Sequence, residues 1–204
     1  MVRKKESDKR HVVIFVEGDT DMVFFTELLR YYRQQSLTPI VSCEVQNMKG
    51  VSKYNAKFAL KLKNNIIPKA KAKGFSVSTV CCSYDTDVFE YAEHPVVDWN
   101  GVRTTVAKLG VKQFVELKVE KSIEDWLLDD MEGLCAFLGI KNAPQLTAGS
   151  GFEKLSRLFR KANAVYDKGY AVGKFVSSLD MGIIRNKRKA ALKELEEALS
   201  VKIE

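Results

Sequence analysis

An alternation of strand-sized apolar runs with stretches of helical spacing restricts this chain more than any other feature. His11 to Val16 is a β-branched run that stops at Glu17-Gly18-Asp19, as a strand does when it ends in a turn. Thr20 and Asp21 then offer an N-cap, and Met22, Phe24, Phe25, Leu28, Leu29 and Tyr32 recur at helical intervals. Pro39 to Val45 reads as a second strand and Asn47 to Gly50 as a loop. A basic helix is expected from about Ser52 to Lys63, continuing in pieces to Lys73 because Pro68 interrupts it. Phe75 to Tyr84 is apolar again and ends in Asp85-Thr86-Asp87. Val102 to Leu109 has a helical pattern, Lys112 to Val119 reads as a further strand, and Lys121 to Leu138 as one helix around Trp126. Strands alternating with helices imply an α/β, Rossmann-like, mostly parallel sheet flanked by helices.

After Gly139 the character changes to helices separated by Gly and Pro, ending in a helix from Asn186 to Leu199. From Ala136 onward there are 13 basic against 7 acidic residues. The expected organisation is a basic tail over 1–10, an α/β core over 11–135 and a helical extension over 136–204 packed on that core.

Composition removes several function classes. No stretch approaches the ~20 apolar residues of a membrane span, and the N-terminus lacks a secretory apolar region. The four cysteines (Cys43, Cys81, Cys82, Cys135) show no CxxC spacing, with only His11 and His94 to help them. A zinc site and a disulfide framework are therefore both unsupported. Cys81 and Cys82, inside an apolar run, read as buried thiols of a cytoplasmic protein. So few histidines also argue against Ser-His-Asp hydrolysis.

The chemistry should lie where acids close strands. Ligands of open parallel sheets bind beyond the carboxyl ends of the strands, where strand order reverses. Glu17 follows the first strand, and Asp85 with Asp87 follows a central one. Carboxylates converging there would repel one another unless cations neutralise them. Oxygen-only ligands suit Mg²⁺ or Mn²⁺. The bland alternative is that Asp85 and Asp87 simply begin a loop.

These residues resemble a family. Val13-Ile14-Phe15-Val16-Glu17-Gly18, followed by Asp21, resembles the first motif of Toprim domains, the fold shared by topoisomerases, primases and OLD-type (overcoming lysogenization defect) nucleases. Asp85-Thr86-Asp87 resembles the second Toprim motif. Ser122-Ile123-Glu124-Asp125-Trp126-Leu127-Leu128 resembles a segment of small bacterial OLD-like Toprim proteins, many associated with defence against phage. These motifs span roughly Val12 to Asp130. The carboxy-terminal third is similar only through Tyr170 and Phe175 to Asp180. The glycine-rich pattern after the second strand is reduced to Met48-Lys49-Gly50.

The resemblance implies a Toprim-like core and a metal-dependent nuclease acting on DNA or RNA, with phage defence or abortive infection as its setting. An ATPase partner chain or a homo-oligomer is the partnership left open. Glu17 would be a metal ligand or general base. Asp21, Asp85 and Asp87 would complete the metal shell, and Glu124 would be the last acidic ligand. The competing role for Glu124 is that of a first-turn acid on a helix capped by Ser122. Asp129 and Asp130 read as solvated helix residues, and Trp126 as core. Lys168 would steady the phosphate in its transition state.

Net charge is +7, and Val45 to Tyr84 holds no acidic residue but eight lysines. Lys49, Lys53, Lys57 and Lys61 are spaced by four and would form one stripe if helical, either an ordinary wet face or a track for a nucleic-acid backbone. Two other functions stay open. Asp85-Thr86-Asp87 could supply the nucleophile and acid of a haloacid-dehalogenase-like phosphatase, although Phe89 stands where that motif wants Thr or Val. The fold could also be a non-catalytic module that binds nucleic acid or protein.

Overall fold

The computed structural model describes residues 8–55, 57–89, 96–146, 148–169 and 172–203. Tyr170, His94 and most of the expected basic tail lie outside them. β1 (Arg10–Val16) leads into α1 (Asp19–Gln35) and β2 (Ser42–Asn47). The basic region is a 3₁₀ turn (Val51–Tyr54), α2 (Lys57–Lys61), a π-helical turn (Leu62–Ile66) and α3 (Ile67–Ala72). Next come β3 (Ser76–Asp85), a 3₁₀ turn (Asp87–Phe89), α4 (Trp99–Lys108) and β4 (Gln113–Val119). The remainder is helical: α5 (Ile123–Leu127), α6 (Met131–Leu138), α7 (Gly151–Lys161), α8 (Gly173–Val176), α9 (Met181–Lys187) and α10 (Lys189–Leu199). No described helix is long and apolar enough to cross a membrane.

The four strands form one parallel sheet in the order β2-β1-β3-β4. Val16 pairs with Asn47, Phe15 with Cys82 and Asp85 with Val119, so the carboxyl ends finish close to one level. Strand order reverses between β1 and β3, the place where such sheets leave a crevice. β1 is buried on both faces, hence its unbroken apolar sequence. Alternate residues serve two cores. Val12, Ile14 and Val16 pack with α1 and with residues of α5 through α10, whereas Val13 and Phe15 pack with Phe58, Leu62, Val102 and Val106.

Residues beyond 135 belong to the first of these cores. Leu155, Phe175, Ile184, Leu192 and Leu199 share it with Phe24 and Leu28 of α1, and the expected boundary at 135/136 falls inside α6. The tail after α10 is tied back by the Leu37 amide donating to the Lys202 carbonyl (2.8 Å) and the Val41 amide to Leu199 (2.8 Å).

Several elements differ from the sequence expectation, each for a local reason. The helix expected from Lys121 to Leu138 is two helices. Asp130 ends the first by accepting from the Gly133 amide (3.0 Å) as N-cap of α6, and its other oxygen accepts from the Asp180 amide (2.7 Å). Asp130 is thus buried, not solvated. Asp129 is held by the Arg188 guanidinium rather than by water. The expected last helix is likewise divided at Arg188. α1 is capped by Gly18 without a side-chain bond, so Thr20 and Asp21 are released from the capping role expected of them. Trp126 is fully buried, as expected of core. All four cysteines are free thiols.

Candidate metal and phosphodiester site

At the crevice between β1 and β3, the chain turns sharply at Glu17-Gly18. A Cβ on Gly18 would lie 3.2 Å from Asp21 Oδ2, so the missing side chain lets the first turn of α1 fold back over the strand end. Asp21 is thereby carried into the same pocket as Glu17. The Asp85 amide donates to Glu17 Oε1 (2.9 Å), and the Ile123 amide, opening α5, donates to Asp85 Oδ1 (3.1 Å). The Thr86 amide donates to the Val119 carbonyl and the Asp87 amide to the Lys121 carbonyl, which clamps the end of β3 against β4. α5 therefore starts beside Asp85, and its second residue, Glu124, points inward at 1% exposure.

Glu17, Asp21, Asp85 and Glu124 line one cleft of about 310 Å³, together with Asp19, Thr20, Ile123, Lys168 and Gly169. Four of the five acids named from the sequence thus meet, although they are spread over more than a hundred residues. Lys168 reaches Glu124 (Nζ to Oε1, 3.0 Å), while its own side chain is 55% exposed. The Tyr166 hydroxyl lies 3.3 Å from the same Glu124 oxygen. Glu124 is thus both a first-turn acid of α5 and a lining residue of the cleft. Ser122 makes no cap bond and donates instead to Asp125.

Other expected residues stand apart. Asp87 begins a 3₁₀ turn at the rim of the cleft, near enough for its charge to raise Glu17 and Asp85. The lysines do not form one stripe. Lys49 lies in a left-handed turn (φ 56°), Lys53 in a 3₁₀ turn of different period, and Lys61 donates to the Asn47 carbonyl (3.0 Å). Lys57 remains exposed on α2.

Burial without matching positive charge sets the electrostatics. Burial, and then the neighbouring Asp21, Glu17 and Glu124 charges, push the Asp85 carboxyl up to about 9. Burial likewise raises Glu17 to about 7, partly opposed by the Asp85 amide, and Asp21 to about 6. Asp87 is raised by its partial burial. Two buried oxygens, Asp21 Oδ1 and Glu124 Oε2, have no hydrogen-bond partner among the described residues. Such orphans call for an explanation, an ion or a water among them, and Ser83 Oγ and Trp126 Nε1 are others away from the cleft.

The donor set is all carboxylate oxygen, the chemistry that holds Mg²⁺ or Mn²⁺. As the side chains stand, no group of three or more His, Cys, Asp or Glu among the described residues is already spaced as a metal shell. The amide contacts to Glu17 and Asp85 hold those carboxylates toward the protein. Completing such a shell would require these acids to turn away from their present amide contacts.

Sequence reading missed the pocket's second wall. Thr20 accepts from the Gly169 amide (2.9 Å), which pins the Lys168 segment over the cleft. Asp19 Oδ1 accepts from Asn47 Nδ2 (2.5 Å), anchoring the loop after β2. The Thr20 signal had been read as helix capping, and Tyr166 had no local pattern to mark it.

No protein-family model matches this chain, and no curated protein matches it. Among solved structures it is similar to the C-terminal region of the OLD protein of Xanthomonas campestris pv. campestris, with TM-score 0.42 and 14% identity over 93% of this chain and 95% of that one.

Proposed function

We propose that the chain is a divalent-metal-dependent phosphodiesterase acting on nucleic acid. The observation that carries this reading is the pair of orphaned carboxylate oxygens, Asp21 Oδ1 and Glu124 Oε2, in a cleft where burial and neighbouring carboxylates also raise Glu17 and Asp85. The resemblance of the Glu17, Asp85 and Glu124 segments to Toprim nucleases supports it, and phage defence is the biological setting that resemblance brings with it.

Asp21, Asp85 and Glu124 would hold the ion, with Glu17 as a further ligand or as the base for the attacking water. When bound, Mg²⁺ or Mn²⁺ polarises the scissile phosphate and makes water a better nucleophile near neutral pH. Lys168, half in solvent above Glu124, would contact a non-bridging phosphate oxygen. Asp87 would act from the rim on the approaching substrate and not as an inner ligand.

A non-catalytic binding module is favoured by one observation, the absence of a ready metal shell among the described residues. A phosphatase using Asp85 and Asp87 as a pair is the less favoured enzyme reading, because Phe89 stands where its motif wants Thr or Val. The deciding assay incubates plasmid, linear duplex, single-stranded DNA and tRNA with Mn²⁺, Mg²⁺ or EDTA. Cleavage should need the metal and fall at least about 100-fold in Glu17→Gln and Asp85→Ala. Equal cleavage by these variants would sink the proposal, and metal-independent nucleic-acid binding without cleavage would favour the module.

A further inference from the structure

Beside the acidic cleft, along α7, runs a second and larger depression of about 720 Å³, walled by Phe152, Arg157, Arg160, Val165 and Tyr166. The two share no lining residue but adjoin through side-chain contacts. Tyr166 lines the depression and contacts Glu124, and Lys168 lies both 3.0 Å from Glu124 and 5.1 Å from the Phe152 ring centre.

Phe152, Ser156 and Arg160 are spaced by four on α7 and share a face about 12 Å long. Phe152 is 40% exposed, although most aromatic residues in this part of the molecule are buried. At the amino end of α7 a capping box joins Ser150 and Glu153 reciprocally, so those two amides are taken and Glu153, which also lines the depression, is committed. Positive charge must come from side chains. Arg157 spends one donor on the Ala148 carbonyl and retains the others of its guanidinium, and Arg160 is exposed.

We propose that this depression is a subsite for a single strand of nucleic acid, with Phe152 as the stacking face and Arg157 and Arg160 as its phosphate contacts. The proposal rests on the reading of the neighbouring cleft as a phosphodiester site. An exposed ring needs an exposed base face, which a single strand offers and a stacked duplex does not. The guanidinium pair supplies the bidentate, salt-sensitive contacts that phosphates take. The occupant is thus an unpaired strand threading from the Arg157/Arg160 end of the depression toward Glu124.

The test is fluorescence anisotropy of a labelled oligothymidylate in EDTA, with the matched duplex beside it. Phe152→Ala should weaken single-strand binding about ten-fold, while Phe152→Tyr binds within about two-fold of the original. Arg160→Gln should weaken it and lower the salt slope by about one. The duplex should bind more weakly and ignore Phe152. Unchanged single-strand affinity in Phe152→Ala or in Arg160→Gln overturns the subsite, as does equal sensitivity of the duplex. Mn²⁺ uptake, followed by electron paramagnetic resonance, separates the two readings. If the wild type takes up no Mn²⁺ yet binds the strand through Phe152, the subsite stands and the nuclease reading falls. If Phe152→Ala loses Mn²⁺ uptake as well, the Phe152→Tyr and Arg160→Gln affinities decide.

Discussion

Glu196 and Glu124 are both carboxylates sunk into the helical side of the sheet, yet their surroundings differ in kind. Glu196 receives two bonds from the Arg185 guanidinium (2.7 and 3.0 Å) and one from the Tyr32 hydroxyl (2.9 Å), and Arg185 is itself buried. Every oxygen there has a donor. Glu124 shares one oxygen between Tyr166 and a half-solvated Lys168, its other oxygen has none, and three more acids face it. The first arrangement is finished by the fold. The second is finished only by something added, and that difference separates a structural ion pair from a candidate site more reliably than burial does.

The comparison breaks most visibly at Arg185. Arg185→Met leaves Glu196 buried without its cation and should cost about 3–5 kcal/mol in urea unfolding. A loss below about 1 kcal/mol would mean that Glu196 is no better satisfied than Glu124.

A smaller effect is expected at the cleft, with the opposite response to added cation. Asp85, Glu17 and Asp21 titrate in the folded protein near 9, 7 and 6, above ordinary carboxyl values near 4. Between these limits the folded chain holds more protons than the unfolded one, so stability falls as pH rises from about 4 to 9 and levels off beyond. In EDTA the melting temperature should fall progressively across this window, in steps shared among the coupled acids. Mn²⁺ should flatten the profile, and Asp85→Asn should remove its upper part. Thermal melts across this range that are flat in EDTA would show the acids already neutralised from within.

The weakest effect belongs to charges that are neither paired nor crowded. Lys57→Ala should leave stability within about 0.5 kcal/mol and reduce nucleic-acid affinity only slightly, with a shallower salt dependence. A loss as large as that of Arg160→Gln would place the main track on α2 instead of α7.

What the sequence disclosed follows the range of the interactions concerned. The strands and their acidic ends were legible because a β-branched run followed by Glu-Gly or Asp-Thr-Asp is a local pattern. Parallel pairing then brought Glu17 to the amide of Asp85 without further information. Asp130 was misread because its role depends on the Asp180 amide, fifty residues away. The lysine stripe failed because a spacing of four makes a stripe only on a regular α-helix, and this segment mixes 3₁₀, α and π turns. Tyr166, Gly169 and Phe152 were invisible because they approach the cleft from a segment with no strand to register it.

The contact between α7 and α5 has one more consequence. A Cβ on Gly151 would come within 2.6 Å of the Asp125 amide nitrogen, and that atom is backbone and cannot swing aside. The gap between the acids and the aromatic ring is therefore gauged by a single hydrogen atom where a side chain would otherwise stand. Descendants of this chain are free to redecorate the outer surface of α7 for new substrates, but any that enlarge residue 151 must also reset the distance at which those substrates are presented.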